Sequence, residues 1–167
     1  MTPAIVVLAL VTLQRLSELA LAGRNTRRLL AQGAHEAGRD HYPLIVLLHA
    51  AWLAGLWLLA WDRPVQWPWL AAFLVLQAAR VWVIASLGGR WTTRIIVLPG
   101  APPVARGPYR FVAHPNYLVV AAEIAVLPLA FGLVGYAVVF FLLNAAMMAV
   151  RIPCEAQALS RAAAPPP

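Results

Sequence analysis

Charged residues are scarce in this chain of 167 residues, and lysine is absent altogether. Only 11% of the residues are charged and 62% are hydrophobic, whereas about a quarter of the residues of a typical soluble domain are charged. Six acidic residues stand against thirteen arginines, which gives a formal net charge of +7. This composition excludes an ordinary soluble globular domain and indicates an integral membrane protein.

Cysteine is also nearly missing. Cys154 is the only one, so no disulfide can form within the chain. It has neither a second cysteine nor a paired histidine at the spacing of a metal site, and we therefore expect no bound metal. The chain also lacks the G-x-G-x-x-G turn by which many soluble enzymes hold a nucleotide, so a nucleotide-containing cofactor would have to be held differently.

Most arginines fall in two polar stretches, Gly23–His41 and Gly88–His114. Cytoplasmic loops of membrane proteins carry an excess of basic residues, so both stretches are predicted to be cytoplasmic. The same bias explains the net charge better than nucleic-acid binding does, because the arginines form no soluble basic patch. We therefore expect membrane lipids rather than nucleic acid as partners.

Five apolar segments predict an all-α bundle of five transmembrane helices. They are about Pro3–Ala22, Pro43–Trp61, Trp67–Leu87, Asn116–Phe131 and Gly135–Val150. The last two are shorter than the ~20 residues that a spanning helix needs, and they are predicted to form a short helical hairpin. Residues 1–160 would then be a single domain, followed by a disordered tail at residues 161–167.

Two local predictions concern the polar stretches. The residues from Arg24 to Gln32 fit either a continuation of the first helix or a helix lying in the membrane interface. Ile95–Leu98 is short and β-branched, which predicts an extended segment.

Several ionisable side chains interrupt the apolar segments, where they are costly unless they are paired or face a wet cavity. Arg15 and Glu18 lie three residues apart and can pair on one helix face. Glu123 lies within the fourth segment, and Arg80 of the third is its predicted partner. Such residues can form a functional site, or they can simply hold the helices together.

The sequence GPYRFVAHPNYLVVAAE, residues 107–123, joins the second polar stretch to the fourth apolar segment. Prolines favour an extended residue before them, which predicts a stiff, non-helical segment ending at His114. Pro115 suits the first turn of a helix, so a helix is predicted from about Asn116. The free N–H groups at its start can bind a negatively charged group.

A second polar pattern lies on the last helix. Asn144, Arg151 and Glu155 stand at positions i, i+7 and i+11, so they share one helix face. Arg151 and Glu155 are also close enough along the helix to pair.

GPYRFVAHPNY resembles the G-P-Y-x-x-x-R-H-P-x-Y signature of the isoprenylcysteine carboxyl methyltransferase family, which consists of integral-membrane enzymes that use S-adenosylmethionine. RIPCEAQAL, residues 151–159, resembles the R-x-x-x-E segment of the same family. The flanking sequence is most similar to a small bacterial branch associated with type III polyketide synthases. One position departs from the signature: Ala113 stands where the family has arginine, and a neighbour such as Arg110 or Arg106 must fill any role of that arginine.

The resemblance implies methyl transfer from S-adenosylmethionine to an oxygen of a lipophilic acceptor, either an alkylpyrone or alkylresorcinol or an isoprenylcysteine-like carboxylate. The site would face the cytoplasm of a bacterial-type cytoplasmic membrane, and the acceptor would arrive from the bilayer. The resemblance assigns these residues to the cofactor: His114, Pro115, Tyr117, Arg151 and Glu155. We add three neighbouring candidates for the cofactor: Tyr109, Asn116 and Asn144. The candidates for the acceptor side are Glu123, Arg80 and His41.

Two other functions fit the same features. A membrane reductase that uses NADPH would share the terminal hairpin, but it would need further contacts for the 2′-phosphate. A non-catalytic membrane scaffold would use its polar residues only to hold helices together. The identity of the acceptor and the oligomeric state stay open.

Overall fold

The computed structural model describes residues 2–163, which form a helical bundle with one small sheet. The helices are α1 (Pro3–Ala31), α2 (Tyr42–Ala60), α3 (Trp67–Leu87), α4 (Pro115–Leu129) and α5 (Val134–Ala163). The strands β1 (His35–Ala37) and β2 (Ile95–Val97) pair antiparallel. Three 3₁₀ turns lie in the connections, at Arg39–His41, Gly88–Arg90 and Gly107–Arg110. The all-α class predicted from the sequence is confirmed.

Four of the five helices, α1, α2, α3 and α5, are long and apolar enough to cross a membrane. The fourth helix, α4, is apolar but has only 15 residues, and it packs against α3 and α5. Many large apolar side chains point away from the bundle, among them Leu58 at 77% exposed and Val75 at 70%. Such an outer surface is suited to lipid rather than water, and the chain is an integral membrane protein.

Two helices extend beyond the predicted segments. α1 continues to Ala31, so Arg24 to Gln32 largely prolong the first helix. α5 has 30 residues and ends at Ala163, so the prediction that both arms of the hairpin are short was wrong for this arm. The apolar run stops at Val150, but the helix itself continues through Arg151 and Glu155. Residues 161–163 of the predicted tail are helical, and residues 164–167 lie outside the described residues.

The sheet joins the two polar stretches at one end of the bundle, which we call the sheet end. Ile95 pairs with Ala37 and Val97 pairs with His35, so the extended segment predicted at Ile95–Leu98 is confirmed. Arg94 Nη1 donates to both carboxylate oxygens of Glu36, at 2.8 and 3.0 Å. The two stretches therefore lie on the same side, as the arginine pattern predicts.

The apolar core fills the other half of the bundle, between α1, α2, α3 and α4. Its best buried side chains include Leu8, Leu56, Phe73, Leu127 and Phe131. At the sheet end polar contacts replace this packing: Asn25 Nδ2 donates to the carbonyl oxygens of Gly88 and Trp91, at 3.2 and 2.8 Å. These bonds fix the turn after α3 against α1.

Gly107 makes the closest backbone approach at the sheet end, and its replacement by alanine is expected to destabilise the protein. Its φ is +57°, and a Cβ there would meet Ser86 Oγ, with Trp82 Nε1 at 3.2 Å. Gly100, with φ +71° and nothing within 4 Å of its Cβ position, is the matched control for backbone strain alone. Overpacking adds about 1–3 kcal/mol to the strain that both variants share. Thermal unfolding in detergent should therefore show a lower midpoint for Gly107→Ala than for Gly100→Ala. Equal midpoints would mean that the Ser86 side chain moves aside at no cost in stability.

Candidate active site

A cavity of about 240 Å³ lies at the sheet end, between the start of α4, the C-terminal half of α5 and the connection from Arg90 to Val104. Six of the eight predicted cofactor residues line it. They are Tyr109, His114, Asn116, Tyr117, Arg151 and Glu155. The structure thus brings the HPNY sequence and the R-x-x-x-E sequence together at one space.

Tyr117 is the centre of the hydrogen-bond network in this cavity. Its hydroxyl donates to Glu155 Oε2 at 2.5 Å and accepts from Arg151 Nε at 3.0 Å. His114 stacks on the Tyr117 ring with the centroids 5.4 Å apart, and its Nδ1 lies 3.5 Å from the same Glu155 oxygen. Arg151 also donates from Nη2 to the carbonyl of Thr93 at 2.6 Å. The network therefore ties α4, α5 and the connection before β2 together.

The local sequence explains why these side chains meet. Pro115 occupies the first turn of α4, where its lack of an N–H is harmless, and it is buried without lining the cavity. It thereby sets the direction in which Asn116 and Tyr117 leave the helix start. The predicted non-helical segment before it is only partly correct, because Gly107–Arg110 forms a 3₁₀ turn. A proline next to a glycine favours such a tight turn over extended chain.

Burial and charge set the protonation of Tyr109, which lies in that turn. Its burial, together with the negative charge of Glu155, raises the pKa of Tyr109 to about 12. The phenol therefore stays protonated at neutral pH and can donate a hydrogen bond into the cavity.

The connection before β2 contributes cavity residues that the sequence did not single out, notably Trp91 and Arg94. Trp91 is only 2% exposed, and within residues 2–163 its indole Nε1 has no hydrogen-bond partner. The side-chain oxygen Oδ1 of Asn116 is likewise buried without one. Buried polar atoms are normally satisfied, so these two mark places where a ligand can bond. The sequence feature that could have singled out Trp91 is the presence of a tryptophan in an otherwise polar stretch.

Glu123 and Arg80, two of the acceptor-side candidates, do not line this cavity. Arg80 donates to both oxygens of Glu18 at 2.6 Å and to Glu123 Oε2 at 2.8 Å. Arg15 donates to the same two acids, at 3.0 and 2.9 Å, and Gln77 donates to Glu123 Oε1 at 2.8 Å. The predicted pairs Arg15–Glu18 and Arg80–Glu123 are confirmed. They belong to one charge-balanced group, the internal ion-pair cluster, of Arg15, Glu18, Arg80 and Glu123.

The two remaining candidates lie elsewhere. His41 ends the 3₁₀ turn after β1, where its ring and Cys154 Sγ both approach Gly38. Asn144 is 1% exposed on α5, and in the described part of the chain both atoms of its amide lack a partner. Neither residue lines the 240 Å³ cavity.

Comparison with known proteins places these residues in a family. The sequence model of the isoprenylcysteine carboxyl methyltransferase (ICMT) family matches residues 69–161, which is more than half of the chain. The chain belongs to this family. It is also 39% identical over 158 residues to a Bacillus subtilis (strain 168) protein named "Uncharacterized protein YpbQ", covering 91% of this chain and 94% of that protein. No solved structure matches it.

Membership in the isoprenylcysteine carboxyl methyltransferase family identifies a membrane methyltransferase and confirms the resemblance found in the sequence. The matched region runs from α3 to α5 and includes the six predicted residues that line the cavity. It does not include His41, nor Arg15 and Glu18, the two residues of the internal ion-pair cluster that lie on α1. The polyketide-associated branch stays a prediction.

Ala113, which replaces the arginine of the family signature, lines the cavity. Neither Arg106 nor Arg110, the neighbours proposed to replace that arginine, lines it. Arg110 lies against Phe111, with its guanidinium carbon 6.0 Å from the ring centre, and Arg106 donates to the carbonyl of Ser86. Within the described chain, Arg90, Arg94 and Arg151 are the guanidinium groups that line this space.

Proposed function

We propose that the chain transfers a methyl group from S-adenosylmethionine to an oxygen of a lipophilic acceptor. The observation that carries this proposal is the Tyr117–Glu155–Arg151 network at the cavity, formed by the two sequences that resemble the signature of the family. The matched family supports the methyl-transfer chemistry. We propose three points beyond family membership: the identity of the cofactor, the acceptor oxygen and the roles of single residues.

The residues around the cavity fit the cofactor chemically. Arg151 and Arg94 can bind its carboxylate, since a guanidinium bonds a carboxylate with charge-assisted hydrogen bonds. Glu155 can accept from its ammonium group or ribose hydroxyls. The ring face of Tyr109 suits a positively charged sulfonium, and Trp91 Nε1 and Asn116 Oδ1 supply an unused donor and acceptor.

The size of the cavity sets one condition on binding. Its 240 Å³ is slightly less than the ~300–1,000 Å³ usual for small-molecule sites. A ligand larger than this space would need part of the wall to move outward. The segment from Leu98 to Arg106 has no helix or strand, so it is the wall that can move at least cost.

When bound, the cofactor would supply a methyl group on a positively charged sulfur, and the acceptor oxygen would take the methyl group by displacing that sulfur in line. The chain then has to fix the cofactor, exclude water and hold the acceptor oxygen opposite the sulfur. The bonds from Arg151 to Tyr117 and Thr93 hold this guanidinium in place before any ligand arrives. Such pre-organisation lowers the cost of ordering the site during the reaction.

The arginines support a cytoplasmic position for the site. Arg63 lies at the end opposite the sheet, and ten arginines lie at the sheet end. These ten are Arg24, Arg27, Arg28, Arg39, Arg90, Arg94, Arg106, Arg110, Arg151 and Arg161. By the positive-inside bias, this distribution supports a cavity that faces the cytoplasm, with the acceptor arriving through the apolar flanks of α4 and α5.

The proposed cofactor is tested by thermal unfolding of the detergent-solubilised chain with S-adenosylhomocysteine or NADPH. We expect S-adenosylhomocysteine at 100 times its dissociation constant to add about 2.7 kcal/mol of stability, and NADPH to add none. Labelled methyl transfer to an alkylresorcinol and to an isoprenylcysteine analogue then identifies the acceptor class. Stabilisation by NADPH alone would favour the reductase, and stabilisation by neither would favour the scaffold.

A further inference from the structure

A second and larger cavity, of about 700 Å³, lies beside the first at the sheet end. Its walls come from the end of α1, the turn after α3 and the segment from Leu98 to Arg106. Three arginines line it, Arg28, Arg90 and Arg106. We call this space the basic cleft.

The three guanidinium groups converge on one turn. Arg28 Nη1 lies 3.8 Å from the Cβ position of Gly89, and Arg106 Nη2 lies 3.7 Å from that of Gly88. Arg90 is the last residue of the same 3₁₀ turn. Two of the three are held in place by the backbone: Arg90 Nη1 donates to the carbonyl of Pro102 at 2.6 Å, and Arg106 Nε to that of Ser86 at 2.7 Å.

None of these three arginines forms an ion pair within residues 2–163. Four of the six described carboxylates, those of Glu18, Glu36, Glu123 and Glu155, pair with Arg15, Arg80, Arg39 and Arg94 or lie near His114. Three like charges around one cleft repel each other, and an anion between them would remove that cost. Each guanidinium also keeps N–H donors free, because at most one is used by a backbone carbonyl.

The other walls of the basic cleft are apolar and include Leu29, Leu87, Leu98 and Val104. A free inorganic anion needs no such walls, whereas a lipid presents a phosphate together with hydrocarbon. Basic pockets at the cytoplasmic face of a membrane bundle are suited to anionic headgroups. We propose that the basic cleft binds the phosphate group of an anionic phospholipid, through Arg28, Arg90 and Arg106.

The basic cleft adjoins the proposed cofactor site and shares part of its lining, whereas Arg28 and Arg106 line the cleft and not the first cavity. Seven residues line both cavities: Leu29, Leu87, Arg90, Leu98, Pro102, Pro103 and Val104. A headgroup bound to Arg90 and Arg106 therefore lies against the segment that also forms a wall of the first cavity. Lipid binding can be measured without methyl transfer, so its failure is distinguishable from failure of the proposed enzyme activity.

The chain offers a closely matched pair of variants. Arg28 and Arg27 are adjacent exposed residues of α1, and neither side chain makes a hydrogen bond or an ion pair in the described part of the chain. Only Arg28 lines the cleft. Arg28→Gln and Arg27→Gln therefore remove the same charge from the same end of the same helix. Native mass spectrometry of the detergent-solubilised protein, titrated with phosphatidylglycerol or phosphatidylcholine, measures the difference.

We expect phosphatidylglycerol to bind wild type and Arg27→Gln equally, and Arg28→Gln roughly fivefold more weakly, as expected for one arginine beside an anionic lipid. Arg28→Gln/Arg106→Gln should bind more weakly still, and phosphatidylcholine should not distinguish the variants. If Arg27→Gln and Arg28→Gln weaken phosphatidylglycerol binding equally, general surface charge explains the binding, and the proposal is overturned.

Two competition arms identify the source of the anion. Inorganic phosphate at matched concentration should leave phosphatidylglycerol bound if the apolar walls contribute, which supports a lipid site. Displacement by phosphate would keep the anion site but assign it to the free ion, and so overturn the lipid part. Displacement by S-adenosylhomocysteine would assign the cleft to the cofactor and overturn the proposal as a whole.

Discussion

Glu123→Gln is expected to lower the stability of the bundle by about 3 kcal/mol, because it leaves the buried guanidinium of Arg80 and the partly buried one of Arg15 with a single carboxylate. Glu123 is 1% exposed and Arg80 is 6% exposed. Oε2 of Glu123 accepts from both Arg15 and Arg80, at 2.9 and 2.8 Å, and a glutamine cannot offset the charge of either. For a chain of this size the thermal midpoint should fall by roughly 6–12 °C.

A matched control is available at the sheet end. Glu36 also accepts from an arginine, Arg94, but that guanidinium is 35% exposed. Glu36→Gln should therefore cost less than about 1 kcal/mol, as solvent-exposed pairs do. A double variant, Arg15→Gln/Glu123→Gln, restores the charge balance of the internal ion-pair cluster and should recover part of the lost midpoint. Equal midpoints for Glu123→Gln and wild type would contradict the structural role.

The same substitution decides whether Glu123 is also a base for the acceptor. A phenol-like acceptor with a pKa of about 10 has to lose a proton, whereas a carboxylate acceptor does not. A base role predicts a turnover loss of roughly 10²–10⁴-fold that shrinks as the acceptor becomes more acidic. The geometry favours the structural alternative, since hydrogen bonds from Arg15, Arg80 and Gln77 already occupy both oxygens. We therefore expect the remaining turnover, measured across acceptors of graded acidity, to show no such trend.

Glu155→Ala is expected to weaken S-adenosylhomocysteine binding by roughly 10- to 150-fold, which corresponds to the loss of one charge-assisted hydrogen bond. Glu155 accepts from the Tyr117 hydroxyl at 2.5 Å and lies 3.5 Å from His114 Nδ1. Its removal takes away the only carboxylate that, among the described residues, lines the cavity. It also removes one of the two hydrogen bonds of the Tyr117 hydroxyl, the other being the one from Arg151 Nε.

Isothermal titration calorimetry of detergent-solubilised protein measures this effect. Gln157→Ala is the control, since Gln157 is an exposed residue on the same helix and does not line the cavity. The side chain of Glu155 is 27% exposed, so the unliganded variant should keep nearly the wild-type midpoint. Unchanged affinity in Glu155→Ala would remove this residue from the site, whatever the fate of the proposed reaction.

Glu155→Gln refines the same experiment. Glutamine keeps the size of the side chain and an acceptor for Tyr117, but it loses the negative charge. An intermediate loss of affinity would show that charge contributes beyond the hydrogen bond. If Glu155→Gln binds S-adenosylhomocysteine with wild-type affinity, the charge of Glu155 contributes nothing beyond the hydrogen bond.

Local sequence determined the elements of this bundle and much of its candidate site. Apolar runs predict helices wherever a membrane solvates the outside, because only an internally bonded backbone is stable there. His114, Asn116 and Tyr117 lie within four residues of one helix start, and Arg151 and Glu155 lie one turn apart. Such short-range geometry follows from helix periodicity alone. The predicted pair of Arg80 and Glu123 needed only the high cost of leaving a charge unpaired in lipid.

Tertiary structure decided what depends on distant parts of the chain. Arg15 meets Glu123 across 108 residues, and Arg151 meets the carbonyl of Thr93 across 58. Trp91 becomes a cavity residue only because α5 and the start of α4 pack around the connection before β2. No local pattern predicts these contacts, since they follow from how helices of particular lengths pack side by side. The same packing separates Glu123 from the cavity and places Arg28 of α1 beside Arg106, 78 positions later in the sequence.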